Sequence, residues 1–242
     1  VKEIPYNSAH DAKPLRIVHV SYLNPTQSMK EKLFKKGILL ASSLLLSFGM
    51  TQANAGSTTG YNGGYYYGIY TAGSGSGTIS FPNGGGNWKA VWTSGITDCG
   101  SGKGWKPGSV RNVGYNCGTL AGSWKWLSTY GWTQSPLIEY YITDKGSWTG
   151  NYYASPYIDG STYTCYTYQQ VNKPSIEGTK TFWQYRDDRN TDRSTGVNYS
   201  ITMSSHVNVW KNYGGHGFGT VYDTIMNIEA LSGPGTGNCT VW

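Results

Sequence analysis

Charge is what this sequence has least of. Only 13% of its 242 residues are Asp, Glu, Lys or Arg, which excludes a charged disordered chain, a coiled coil and an ordinary helical bundle. No apolar run reaches the roughly 20 residues that cross a bilayer as a helix. The four cysteines fit no zinc spacing, and no two stand in a Cys-x-x-Cys pair. Beyond residue 55 the only histidines are His206 and His216, so a serine-hydrolase triad has little to draw on. The glycine-rich stretch Gly214-Gly215-His216-Gly217 matches no phosphate-binding motif and reads as a turn. What the chain does have is 34 glycines, 21 tyrosines and 10 tryptophans against 5 phenylalanines. Its rings therefore mostly carry polar edges, as expected of a β-rich globule with aromatic surface.

Residues 29–55 read as a secretory signal. Lys30, Lys32, Lys35 and Lys36 form a basic start, Ile38 to Phe48 an apolar core of 11 residues, and Ala53-Asn54-Ala55 a small-x-small cleavage pattern. Residues 1–28 carry three prolines and no steady period, and are expected to be non-native upstream sequence or unstructured. The first 55 residues hold 7 of the 19 Lys+Arg and 3 of the 13 Asp+Glu, so residues 56–242 carry 12 against 10, a net of +2. The apparent basicity belongs to the leader. With no basic run left, neither a nucleic-acid nor a membrane-surface partner is expected, and a secreted, extracellular monomer is.

All four cysteines lie in 56–242, where an exported chain favours disulfides. The turn-like stretch Gly104-Trp105-Lys106-Pro107-Gly108 between Cys99 and Cys117 suggests pairing those two and leaving Cys165 with Cys239. Three pairings are open.

From Tyr61 onward, short aromatic and β-branched runs alternate with glycine-rich turns. Strands are expected over 65–71, 78–81, 88–92, 110–115, 124–132, 137–143, 162–170, 179–186, 196–201, 219–229 and 238–242. One segment differs: Met203, His206, Val207 and Trp210 stand at helical spacing, with Gly214-Gly215 after them as a stop. The expectation is one all-β domain over 56–242 with one short α-helix. Both faces of 163–168 bear ring or polar groups, which suits sugars: their C–H faces stack on rings and their hydroxyls need hydrogen-bond partners.

Beyond the leader there are three glutamates, Glu139, Glu177 and Glu229. On a strand Leu137, Glu139 and Tyr141 share one face, and Ile138, Tyr140 and Ile142 the other. In 225–231, Met226, Ile228 and Ala230 would face the core, with Asn227, Glu229 and Leu231 opposite. Glu139 and Glu229 are isolated acids among apolar neighbours with no adjacent cation. Sugar acetal cleavage needs two such carboxyls, one ionised and one protonated, the second held protonated by nearby negative charge and desolvation.

The segments around these acids resemble the family 11 glycoside hydrolases, small β-jelly-roll endo-1,4-β-xylanases, from about Tyr61 to Trp242. Tyr130-Gly131-Trp132-Thr133-Gln134-Ser135-Pro136-Leu137-Ile138-Glu139-Tyr140-Tyr141 is similar to the family's nucleophile strand. Asn172-Lys173-Pro174-Ser175-Ile176-Glu177-Gly178 resembles its thumb loop and Thr181-Phe182-Trp183-Gln184-Tyr185 the strand after it. Gly102-Lys103-Gly104-Trp105 and Asn227-Ile228-Glu229 also match. The resemblance implies a jelly-roll sandwich of two curved antiparallel sheets with one helix, and retaining double displacement on internal xylan linkages without cofactor or metal. Glu139 would be the nucleophile and Glu229 the acid/base. Tyr70, Tyr130, Trp132, Tyr141, Tyr166, Pro174, Ser175 and Gln184 would hold substrate. Asp98 falls where the family has an Asn or Asp hydrogen-bonded to the acid/base, and an Asp there implies an acidic pH optimum. Glu177 reads as a solvated loop acid.

The chain also departs from the family. Ala230-Leu231 follows Glu229 in place of Gly-Tyr, Tyr70 stands for a stacking Trp, and Gln134 and Gln170 for two arginines. Two alternatives stay open: a non-catalytic glycan-binding jelly roll, and an endo-β-1,4-glucanase on a related jelly roll.

Overall fold

The computed structural model describes residues 50–242. The readings of residues 1–28 and of the leader's basic and apolar parts fall outside them. The chain forms β1 (Met50–Asn62), β2 (Tyr65–Ser80), β3 (Asn87–Trp92), β4 (Ile96–Trp105), β5 (Asn112–Gly122), β6 (Trp126–Gln134), β7 (Ile138–Lys145), β8 (Asn151–Ala154), β9 (Tyr157–Ile158), β10 (Ser161–Ser175) and β11 (Gly178–Arg189). These are followed by β12 (Tyr199–Thr202), α1 (Met203–Tyr213), β13 (Thr220–Val221), β14 (Thr224–Ala230) and β15 (Gly235–Val241). Every expected strand overlaps an observed one; β1, β4, β8 and β9 were not foreseen. β1 begins at Met50 and runs through the Ala53-Asn54-Ala55 stretch, its backbone pairing 50–54 with 76–80 of β2.

The strand order β12-β5-β15-β3-β2-β4-β14-β6-β7-β11-β10-β8 is one hydrogen-bonded path, folded on itself at β2. The C-terminal end of β2 (77–80) pairs with β3, while residues 66–73 pair with β4 after a register shift at Ala72/Gly73. One long strand thus serves both layers. The layers meet face to face: Tyr115 on β5 donates its hydroxyl to Asp144 Oδ2 on β7 at 2.7 Å. A Cβ on Gly237 of β15 would stand 2.3 Å from Ile228 Cδ1 of β14, so the two layers are in contact there. Pairing is antiparallel except between β7 and β11, which run parallel. Residues 146–177 supply the long connection that a parallel pair requires.

The core is largely aromatic. Trp88, Trp92, Tyr115, Tyr140, Tyr163, Tyr185 and Trp210 are fully buried, and all of their polar tips but the Trp88 indole N–H find a partner inside. Asp144 accepts from Tyr115, from Tyr163 at 2.9 Å and from Arg193 Nη1 at 2.7 Å. Tyr163, from the 163–168 stretch that suggested sugar contacts, is therefore structural. The helix forms where its spacing predicted, burying Met203, His206, Val207 and Trp210. Trp210 stacks on Tyr185 at 5.5 Å and packs against Tyr140. Gly214 donates its N–H to the Trp210 carbonyl at the helix end.

The cysteine pairing expected from the sequence is wrong. The disulfide joins Cys117 and Cys239, which face each other across β5 and β15; Cys99 and Cys165 are buried free thiols. The error came from treating residues 99–117 as a hairpin: β4 and β5 are not neighbours, because β2, β3 and β15 lie between them.

Candidate active site

One cleft of about 800 Å³ opens on the face, away from the core, of the layer that holds β4, β14, β6, β7 and β11, within the usual range for ligand sites. Strand alternation decides which side chains reach it. Ile138, Tyr140 and Ile142 belong to the core, so Glu139 and Tyr141 face the cleft. Met226, Ile228 and Ala230 are core as well, which turns Asn227 and Glu229 to the same side. β6 separates the two acidic strands, with Trp132 opposite Glu139, Tyr130 opposite Tyr141, and Trp126 opposite Glu229. Tyr130 faces both acids from this middle strand.

The two glutamates have unlike surroundings. Glu139 Oε1 accepts from the hydroxyls of Tyr130 and Tyr141, each at 3.0 Å, and Oε2 accepts from Gln184 Nε2. Burial raises its pKa, and these three donors, with Arg186 beyond them, work against the rise. Burial and the carboxylates also push both phenols well above their usual range, keeping them as donors. Glu229 has one long contact, from Asn227 Nδ2 at 3.5 Å. Burial, then the negative neighbours Asp98 and Glu139, hold its carboxyl well above the usual range. The environment thus favours the proton on Glu229 over Glu139, the order that acid-assisted displacement needs.

Asp98 lies on β4 two residues before Gly100, which is paired with Glu229. It shares that face of the strand, a diagonal step from Glu229. Burial and then Glu139 push Asp98 up to about 6, against the N–H of Cys99. Its Oδ1 is buried with no hydrogen-bond partner, and the bond expected to Glu229 is not among the contacts; two carboxylates can form one only when one of them holds a proton.

Tyr70, Tyr130, Trp132, Tyr141, Pro174, Ser175 and Gln184 all line the cleft, as do Gln170 and Asp98. Trp132 Nε1 donates to the Tyr130 hydroxyl at 2.6 Å. Ser175 Oγ donates to the Gly178 carbonyl at 2.6 Å and accepts from the Glu177 N–H at 3.0 Å, so this hydroxyl also shapes the loop tip. Tyr166 is the exception. It shares a face of β10 with Gln170 but lines a separate depression of about 300 Å³ beside Trp148 and Asp188. Glu177 is exposed and accepts from Gln134 Nε2 at 3.3 Å, which makes it a loop contact as well as a solvated acid. His206 is buried against Asp187 and His216 stacks on Trp183. Neither lines the cleft.

Two acidic-site neighbours escaped the sequence reading. Asp223 lines the cleft, accepts the Trp132 N–H at 2.9 Å and is pushed up to about 6, chiefly by burial. Arg186 donates to Gln184 Oε1. Its place two residues after Gln184 on a strand was the available signal. Among the described residues no three His, Cys, Asp or Glu side chains converge as metal ligands.

A two-layer β-sandwich with a paired-carboxylate cleft is the frame of a glycoside hydrolase. The model for the family "Glycosyl hydrolases family 11" matches residues 62–240, and the chain belongs to that family. It is 40% identical over 191 residues to "Ethylene-inducing xylanase 1" of Botryotinia fuckeliana, covering 76% of this chain and 66% of that protein. It is 39% identical over 194 residues to "Endo-1,4-beta-xylanase 2" of Rhizopus oryzae, covering 75% and 84%. With "Ethylene-inducing xylanase" of Penicillium digitatum it shares 37% identity over 194 residues, covering 76% and 85%.

Proposed function

We propose that this protein is a secreted endo-1,4-β-xylanase that cleaves internal linkages of xylan with retention of configuration, and that it works best at acidic pH. The observation that carries the reading is the contrast between the acids: three donors on Glu139, and on Glu229 one long contact and two negative neighbours. The names of its relatives, xylanases, supply the substrate class. Glu139 attacks the anomeric carbon while Glu229 gives its proton to the departing glycosidic oxygen, leaving a glycosyl ester on Glu139. The loss of charge at Glu139 relaxes the pressure on Glu229, which then takes a proton from the water that hydrolyses the ester. This sequence requires the carboxyls to stand about 5–5.5 Å apart.

Reducing-end release from xylan and from a soluble cellulose derivative tests the proposal. Cleavage of xylan alone, lost in Glu139→Gln, with first products of unchanged anomeric configuration by NMR, is the expected result. Equal attack on both polymers would make the protein an endoglucanase. Binding without cleavage would make it a glycan-binding module.

A further inference from the structure

Two side chains of β11, Gln184 and Arg186, stand in line behind the acid that the proposed function makes the nucleophile. Gln184 stands opposite Glu139 in the parallel β7–β11 pair and donates through Nε2 to Glu139 Oε2. A glutamine amide can present either its N–H₂ or its carbonyl, and a carbonyl turned toward a carboxylate would repel it. Arg186, two residues along the same face of β11, contacts Gln184 through Nη2. Guanidinium has five donors and no acceptor, so this contact exists only with the amide oxygen facing Arg186. The amide nitrogen is then left for Glu139. Arg186 is itself fixed: Nη1 donates to the Thr149 carbonyl at 2.9 Å, and its carbon Cζ lies 4.3 and 4.4 Å from the ring centres of Trp148 and Tyr168. Its side chain is almost fully buried, at 7% exposure.

We infer that Arg186 is a positioning residue for the reaction, acting through Gln184 to hold the Glu139 carboxylate in its attacking orientation. This rests on the reading of Glu139 as nucleophile. Glu139 is faced by Tyr130 from β6, Tyr141 from its own strand, Gln184 and Arg186 from β11, and Glu229 from β14, with Asp98 and Asp223 also within its field. The Arg186 charge acts on both Glu139 and Glu229; Asp188 on the same strand also feels it. Removing that charge disfavours both carboxylates, so the acidic limb of kcat/KM moves upward.

The test is a cycle of Arg186→Met, Gln184→Ala and the double variant, with Arg186→Lys as the charge-conserving control. Trapping with a 2-fluoro-xylobioside and peptide mapping is run in parallel. Arg186→Met is expected to lower kcat/KM about 10- to 100-fold, the scale of a lost hydrogen bond to a charged group. Its acidic limb should shift up, while Arg186→Lys holds the limb in place. The double variant should be little worse than Gln184→Ala alone, because both act on one contact. Additive losses, or a slower Arg186→Met with unmoved limbs, would overturn the positioning role. Labelling of a residue other than Glu139 would instead overturn the assignment of the nucleophile. If Arg186→Met does not fold, Arg186→Lys decides: a point-charge donor must keep the limb while losing some rate to the missing fork.

Discussion

Asp98 and Glu229 stand a diagonal step apart on one face of the β4–β14 ladder, and Gly100, directly opposite Glu229, places no side chain between them. The pair cannot both be charged cheaply in a buried site, so their protons are linked. Asp98, raised to about 6, can donate to Glu229 only while it holds its own proton. As pH rises through about 6, Asp98 ionises, the donor disappears and a charge takes its place. Asparagine keeps an N–H donor at every pH. Asp98→Asn is therefore expected to move the falling limb of the pH–rate profile upward, as measured by initial rates across pH 4–9. Asp223 is also raised to about 6, so Asp223→Asn is the matched control. An upward shift there, with none in Asp98→Asn, would give the limb to the other acid.

Glu139 and Glu229 predict different failures. Without its carboxylate, Glu139→Gln has nothing to form the ester and should lose turnover on every substrate. Glu229→Gln loses only proton transfer, a step contributing about 10²- to 10⁴-fold. An aryl xylobioside whose phenol leaves without help should restore the first step. Stopped-flow release of that phenol should show a burst in Glu229→Gln and none in Glu139→Gln. The same behaviour in both would break the division of roles.

The legible parts of this structure are those written in one strand. Alternation around Glu139 and Glu229 told which side chains share a face, because side-chain direction has a period of two whatever the neighbours are. The helix was legible for the same reason at a different period. What depends on pairing between distant strands was not. β4 was not foreseen because Gly100, Gly102 and Gly104 break its run of β-formers, and Gly104 was read into the turn-like stretch ending at Gly108. Yet a Cβ at Gly102 would meet the Met226 carbonyl at 2.4 Å, and one at Gly104 the Thr224 carbonyl at 2.2 Å. Those glycines let β14 approach rather than bend the chain. Tyr166 looked like its neighbours in composition, but its distance along β10 from Gln170 takes it out of the cleft. Arg186 was marked only by its place two residues after Gln184, since what it touches is an amide on its own strand that reaches a carboxylate on another.

The cysteine arrangement makes a direct prediction. With Cys117 joined to Cys239, thiol titration of the unreduced, denatured protein should find Cys99 and Cys165 reactive. In the folded protein both should be silent, since burial keeps Cys99 up at about 11 and Cys165 higher still. The bridge spans a sequence separation of 122 residues, so its removal in Cys117→Ala/Cys239→Ala should lower stability by about 2–5 kcal/mol. Mapping a Cys99–Cys117 peptide would contradict the fold's strand order.

Asp144 holds the layers together at a point far from the chemistry. It is fully buried and takes Tyr115 from β5 of the facing layer, with Tyr163 and Arg193 from segments beyond β7. Removing the carboxylate leaves a guanidinium at 7% exposure and two phenols without their acceptor. Deleting one partner of a buried ion pair costs about 3–5 kcal/mol, because the other charge stays desolvated. Asp144→Ala should therefore lower the urea midpoint by a comparable free energy, while the folded fraction keeps its rate on xylan and its pH limbs. Replacing Arg193 by methionine in the Asp144→Ala background removes the stranded charge and should recover part of the loss. If the double variant were instead less stable by the sum of the two single effects, the cost would come from lost packing and not from an unpaired ion.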